Sequence, residues 1–534
     1  MSKFSEKCRE LLAENGYNVY RFSQIASLER TTLQRMVTGK RLPSPEFVEH
    51  FCQALRISLT EKKEVMDLYK MESIGETAYQ NQTLILQLFE KLSILEKNKR
   101  FNNQSVVNYG EIKLISPVST DKYETELLLQ YVLRKTLQEQ ESPELYTNLP
   151  GANSLLPHYL NLLVPEYNKT ILIKHLIHFQ PNASYAYENL ETLHQIIPLC
   201  FSSGINYIPF YYYSKLSQND QPNLLYPFYI ITEKYVLQLT TDLSKGILHS
   251  DPVILQEYTK EFQNCLKHSA PLLQQSKDPA EALQLYLTSF DTVQTLTGLA
   301  STPCDMDSMD DEYFFHRVKE ASPEYIPLMK TYAAYLDGLK QVSRHTFFTS
   351  NGIQKFCECG ISSGTSSIVI PNFSPKERLT SLKYFLEHFS NESHQMLNSN
   401  FSYPDSLFIE LRNNHSLFLI NLADKTNISF IIIQESSICN AFSEFFRSLT
   451  DSEFITPENQ TRTLVQKYIE QLKQLTSGVT PPPIEIFKFL FCTFCLYYRN
   501  REMSVLDIHL PVSISQSPHT PYTSQTPTES NILF

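Results

Sequence analysis

The chain has no tryptophan and only 13 glycines among its 534 residues. With glycine so sparse, no Gly-rich segment can cradle a phosphate, which removes the common nucleotide-binding loops. No apolar run reaches the ~20 residues that a membrane-spanning helix needs. The nearest run, 484–498, is interrupted by Glu485 and Lys488. Ten cysteines are scattered without a disulfide framework. The opening residues, MSKFSEKCRELLAENG, are charged and amphipathic and do not read as a signal peptide. A reduced, cytoplasmic protein without a membrane partner is expected. No Ser/His/Asp, Cys/His or paired-carboxylate arrangement stands out, so no catalytic site and no cofactor are assigned, and the chain is not read as an enzyme.

What is present is apolar mass and an uneven charge. Hydrophobic residues make up 42% of the chain, enough for roughly three or four domains of about 150 residues each. The net charge is −11, which argues against a protein that coats nucleic acid along its length. Residues 1–74, however, carry 12 Lys/Arg against 10 Asp/Glu. Between Tyr20 and Arg41 five basic residues, Arg21, Arg30, Arg35, Lys40 and Arg41, face one acid, Glu29. A basic patch on an acidic chain suits one DNA-binding head on a larger body.

Residues 1–74 read as five short helices. Phe4, Cys8, Leu11 and Leu12 repeat at helical spacing, and Asn15-Gly16 ends that helix. Asn18 caps a second helix with Phe22 and Ile25. The third runs from about Arg30 to Val37. Ser44-Pro45 opens a fourth, and Thr60 a fifth. Residues 75–105 read as a helical connector. In it Ala78, Asn81, Ile85, Leu88, Leu92 and Leu95 step in threes and fours, a short heptad seam with one polar position. That seam serves either a dimer or the core of its own chain.

A body of mixed helices and strands follows at 106–475, with two lobes expected near 106–300 and 301–475. Strands are read at 171–179, 206–213, 228–232, 235–241, 406–411, 417–422 and 429–433, with Glu233-Lys234 as a hairpin signal. Helices are expected at 123–137, after Asp251-Pro252, at the capping boxes of Asp278–Glu281 and Ser374–Glu377, and after Ser437. A hairpin followed by a helix thus occurs twice, as internal duplication would produce. Residues 476–534 form an extension, broken by Pro481-Pro482-Pro483 and expected to be disordered from about 511.

The segment Ser27–Ser44, SLERTTLQRMVTGKRLPS, carries the most chemistry. In a helix-turn-helix the second helix lies in the major groove and its first residues meet base edges. Arg30, Thr31, Gln34 and Arg35 are polar and suited to bases, whereas Leu33 and Met36 would face a core. Lys40 and Arg41, just past the helix, suit phosphates, as does Arg21. Thr31-Thr32-Leu33, then Gly39-Lys40-Arg41 and Pro43-Ser44, resemble the Cro and lambda-repressor (xenobiotic-response-element) family over about residues 2–72. The resemblance implies an all-α, five-helix DNA-binding head with base contacts at Arg30, Thr31, Gln34 and Arg35. The sequence departs from the family pattern at Ser27, usually glycine, and at Val37, often acidic.

Other groupings are weaker. Cys492/Cys495 and Cys357/Cys359 offer two ligands where a structural zinc needs four, so both read as core cysteines and no metal site is assigned. Asp305, Asp307, Asp310, Asp311 and Glu312 lack the glycine and final Glu of a calcium loop. Tyr207, Phe210, Tyr211, Tyr212 and Tyr213 read as an aromatic strand in a core, with a ligand wall as the other reading. The sequence therefore points to a transcriptional regulator that binds double-stranded DNA as a homodimer, with a body that senses a small molecule or peptide, or assembles. An enzyme or scaffold localised by such a head is the alternative.

Overall fold

The computed structural model of the chain describes residues 2–101, 116–180, 186–213, 225–288, 293–303, 342–361, 372–390, 392–422 and 429–476. The acidic run, the 492–495 cysteines and the C-terminal extension lie outside these residues.

Five helices occupy residues 3–74: α1 (Lys3–Glu14), α2 (Val19–Ile25), α3 (Arg30–Val37), α4 (Pro45–Leu55) and α5 (Leu59–Ile74). Side-chain caps start four of them. Ser2, Asn18 and Ser44 accept from Ser5, Arg21 and Phe47 backbone N–H groups. The cap of the fifth helix lies two residues before Thr60, at Ser58, which forms a reciprocal capping box with Glu61. Their apolar stripes meet in one core around Phe4, Phe22 and Phe51.

Gly75 alone separates α5 from α6 (Glu76–Phe101). Its φ of +92° and ψ of 147° suit only glycine. The heptad seam of α6 turns into the same chain: Ile85, Leu88 and Leu92 are buried in the body core, with Phe89 between them. Leu95 lies at the exposed end of the seam.

The body is α+β, with two mixed sheets. The first contains β1 (Val118–Ser119), β2 (Glu144–Thr147), β3 (Ile171–Phe179), β4 (Ile205–Tyr213), β5 (Phe228–Ile231), β6 (Val236–Leu239), β7 (Gly246–His249) and β8 (Ala270–Pro271). Helices α7 (Lys122–Glu139), α8 (Leu155–Tyr167), α9 (Ala186–Cys200) and α10 (Pro252–Lys267) belong to this half. The second sheet contains β9 (Leu273–Ser276), β10 (Thr295–Ala300), β11 (Ser343–Thr349), β12 (His394–Leu397), β13 (Leu407–Arg412), β14 (Ser416–Asn421) and β15 (Ser429–Ile433). With it come α11 (Pro279–Thr288), α12 (Ser350–Cys359), α13 (Pro375–His388), α14 (Ser436–Leu449) and α15 (Glu458–Thr476). The chain changes sheets at Leu272, so residues 273–300 belong to the second half rather than to a lobe ending near 300.

The two sheets repeat one topology. In the first, β4, β3 and β2 are parallel neighbours, and β5, β6, β7 and β1 continue antiparallel from β2. In the second, β12, β11 and β10 are parallel, and β13, β14, β15 and β9 continue in the same way. Only β8, paired with β4, has no counterpart among the described strands. A helix leaves the corresponding strand in each half, α10 after β7 and α14 after β15. The hairpin-then-helix order seen in the sequence is thus part of a repeat of the whole sheet.

One core joins the halves. Helices α6, α9 and α14 contribute Leu88, Leu193 and Phe442 to it, and the sheets contribute Ile177 and Leu419. The Phe89 ring lies 5.8 Å from Phe445 and 5.3 Å from Tyr403. Among the described residues no helix is long and apolar enough to cross a membrane.

Candidate nucleic-acid interface

The spacing of α3 gives it two faces. Leu33, Met36 and Val37 are buried against the five-helix core. Val37 is a core residue, so an acid there would be stranded. Arg30, Thr31, Gln34 and Arg35 are all exposed with the whole chain present. Steps of one, four and five residues place them on a single helix face. The chain enters α3 through Ser27, whose φ is +52°. A serine there occupies the left-handed region that glycine enters without cost.

The helix ends by local rules. Lys40 N–H donates to Arg35 O at 2.9 Å and Gly39 N–H to Met36 O at 3.1 Å, with Gly39 at φ +69°. This paired closure needs a residue at ease in the left-handed region. The following loop is pinned from inside. Pro43 is buried and its carbonyl accepts from the Tyr69 hydroxyl at 2.9 Å. Lys40 and Arg41 therefore sit exposed on a fixed loop. Arg21 is exposed in the first turn of α2.

Sequence reasoning misses one contact. The Arg30 guanidinium lies 5.2 Å from the centre of the Tyr20 ring. The Tyr20 hydroxyl accepts from Gln24 Nε2 at 2.9 Å. Tyr20 is 54% exposed, so this aromatic is held on the surface beside α3 and not in the core. A signal for it exists, since Tyr20 and Gln24 are four apart on α2.

The other sequence groupings separate. Tyr207 is buried and its hydroxyl meets His175 Nδ1 at 2.6 Å, whereas Tyr212 and Tyr213 lie at the exposed end of β4. Cys357 is buried in α12, and among the described residues no cluster of His, Cys, Asp and Glu could hold a metal ion. In the five-helix core, burial pushes the Cys52 thiol up to about 11 and the Cys8 thiol higher still, so both are inert core groups.

No family model matches the chain, and no curated protein matches it. Among solved structures it is similar to the phosphatidylserine synthase of Haemophilus influenzae Rd KW20, at 10% identity and a TM-score of 0.22. That match covers 66% of this chain and 92% of the synthase. It is also similar to a mutant yeast tyrosyl-DNA phosphodiesterase, at 9% identity and a TM-score of 0.20, covering 55% and 84%. TM-scores this low assign neither a fold nor an activity to the chain.

Proposed function

We propose that the chain is a cytoplasmic, sequence-specific transcriptional regulator. Its residues 1–74 are a Cro/lambda-repressor-type head, and it binds double-stranded DNA as a homodimer. The observation that carries this reading is the α3 face: Arg30, Thr31, Gln34 and Arg35 stand exposed in the intact chain while Leu33, Met36 and Val37 anchor the helix. The arginines suit guanine edges and Thr31 a base edge or a thymine methyl. Lys40, Arg41 and Arg21 suit the phosphates that set register.

The body is then the sensing or assembling part. A small-molecule or peptide effector acts through α6, which the two halves grip on one side and which Gly75 links directly to the head. Lys70 of α5 also pairs with Glu453 of the body at 2.5 Å. A coupling energy of about 1–3 kcal/mol is the usual size for such a link. The body covers Ile85, Leu88 and Leu92 of the α6 seam, so a dimer contact through α6 is confined to its exposed end at Leu95.

Selection of duplexes from a random pool by the full chain should enrich one motif. On that duplex Arg35→Ala should cost about 1–3 kcal/mol, and on random duplexes much less. Lys40→Ala should weaken both alike and lower the salt slope by about one unit. No enriched motif, or an equal Arg35→Ala loss on both duplexes, rejects the base-reading role.

A further inference from the structure

We propose that a cleft of about 310 Å³ in the second half of the body binds a small ligand carrying an oxyanion, either a phosphate or a carboxylate. Strands β10 and β11 are parallel, in a register that pairs Thr295 with Ser343 and Thr297 with His345. Alternation along a strand puts these four side chains on one face. The same face continues into Leu299 and Phe347, which are fully buried, with the Phe347 ring stacked on Phe446 of α14 at 6.0 Å. The row thus turns from apolar to polar while α14 still passes over it. Across the gap α14 contributes Ser443 and Arg447, one helical turn apart.

The donors in this cleft are selectively left over. His345 is held by Glu392 O and Gln395 Oε1, both at 3.0 Å. Ser443 donates to Asn414 Oδ1 at 3.1 Å. Among the described residues that line the cleft, Arg447 is the single charged one and none is a carboxylate. Among the described residues Arg447 has no hydrogen-bond or ion-pair partner, although Glu444 and Asp451 lie within a turn of it in sequence. The hydroxyls of Thr295, Thr297 and Ser343 likewise donate to no described residue. A guanidinium that lines one cleft with three hydroxyls suits an acceptor-rich anion. An apolar ligand would strand those donors and a cation would be repelled. The last turn of α14 brings backbone carbonyls close, which oppose an anion. Binding must therefore depend on Arg447.

This inference stands apart from the head's proposed binding to DNA, and its test uses no DNA. Thermal unfolding of the full chain is followed against inorganic phosphate and, separately, succinate, with sodium chloride at matched ionic strength as the blank. Arg447→Gln and Thr297→Val are the variants, one from each wall. Arg447 is exposed and Val copies the shape of Thr297, so both proteins should fold. The expected result is a saturable rise in melting temperature with one of the two anions, which names the oxyanion. Apparent affinity should fall about tenfold in Arg447→Gln and measurably in Thr297→Val. A rise of equal size in wild type and Arg447→Gln, or no saturable rise with either anion, overturns the proposal.

Discussion

Helices α10 and α14 leave the same strand of two sheets with the same strand order, yet α10 lies open to solvent and α14 is buried. Both begin on an acidic cap, Asp251 and Glu435. Three, seven and eleven residues past the cap, α10 carries Ile254, Tyr258 and Phe262, and α14 carries Ile438, Phe442 and Phe446. From these stripes Tyr258 and Phe262 pack on Tyr229 and Tyr146 of the first sheet, and Phe446 stacks on Phe347 of the second. The difference lies at the sixth and tenth steps, Glu257 and Glu261 in α10 against Ala441 and Phe445 in α14. Both glutamates are exposed; Ala441 and Phe445 are 2% exposed. The second face of α14 is covered by α6, through the Phe89–Phe445 contact. One helix plan thus serves two environments, and a second apolar stripe records that a further element packs on top.

Exchanging the residues at the tenth step breaks the comparison most severely. Phe445→Glu gives α14 the residue that α10 carries there, but places a carboxylate in the core shared by both halves. Truncation alone, Phe445→Ala, should cost about 3–5 kcal/mol, and the charged variant should not fold. Glu261→Ala in α10 should stay within about 0.5 kcal/mol. Chemical denaturation of the three proteins measures the pattern. A folded, stable Phe445→Glu would show that α6 does not close over α14.

This difference is partly legible in the amino-acid sequence. The apolar stripe of α14 is visible there, but the sequence points to Ser437 as its cap. Glu435 caps instead, because its longer side chain reaches Ile438 N–H at 2.9 Å. In residues 3–74 nearly every boundary follows from caps, glycines and i, i+4 spacing, which are local. The α3 face is legible for the same reason. Long alternating strands such as β3 are also legible. The short strands β2, β7 and β12 are not, since four residues carry little periodicity and their parallel or sheet-edge partners lie far along the chain. The 310 Å³ cleft leaves no trace in the sequence because Thr297 and His345 meet only through the β10–β11 register, and Arg447 joins them only through the packing of α14. The heptad seam of α6 reads the same for a dimer and for a core, because both bury one stripe.

The buried polar groups sharpen the comparison by pH. The second half buries the Glu410–Arg412 ion pair, each side chain 2% exposed, with Tyr286 donating to Glu410 at 2.7 Å. The first half buries a neutral group. His175 Nε2 faces Leu149 O at 2.7 Å and so carries the proton, while Tyr207 O–H donates to Nδ1. Burial holds His175 down at about 4, against about 6.5 in an unfolded chain. As pH falls through that window the unfolded chain takes up the proton first. Stability is therefore whole above about 6.5 and is lost towards 4, by at most about 3 kcal/mol. Hydrogen exchange at pH 7 and 4.5 should show β3 amides losing protection before β14 amides, and His175→Gln should flatten the difference. Equal losses in both sheets would remove the distinction.

The two acidic caps give the smallest and cleanest contrast. Asp251 is exposed, and its Oδ1 accepts from Val253 N–H at 2.8 Å. Glu435 is 3% exposed and sits in a network between the halves. Tyr213 of β4 donates to its Oε1 at 2.6 Å, and Ser437 donates to its Oε2 at 2.6 Å. Asn189 of α9 in turn donates to Ser437 at 2.9 Å. Asp251→Ala removes two exposed cap bonds, to Val253 and Ile254 N–H, that water replaces, and should cost about 1 kcal/mol. Glu435→Ala leaves Ile438 N–H and Ser437 buried with nothing to accept their protons, and should cost about 2–3 kcal/mol. Tyr213→Phe removes only the outermost bond and should cost less than Glu435→Ala, since the 42%-exposed ring can leave water in its place. If the double variant Glu435→Ala/Tyr213→Phe costs the sum of the two single changes, the groups act independently. If it costs about as much as Glu435→Ala alone, the Tyr213 bond works only through this carboxylate, and the cap of α14 is a polar tie between the two halves beside the core they share.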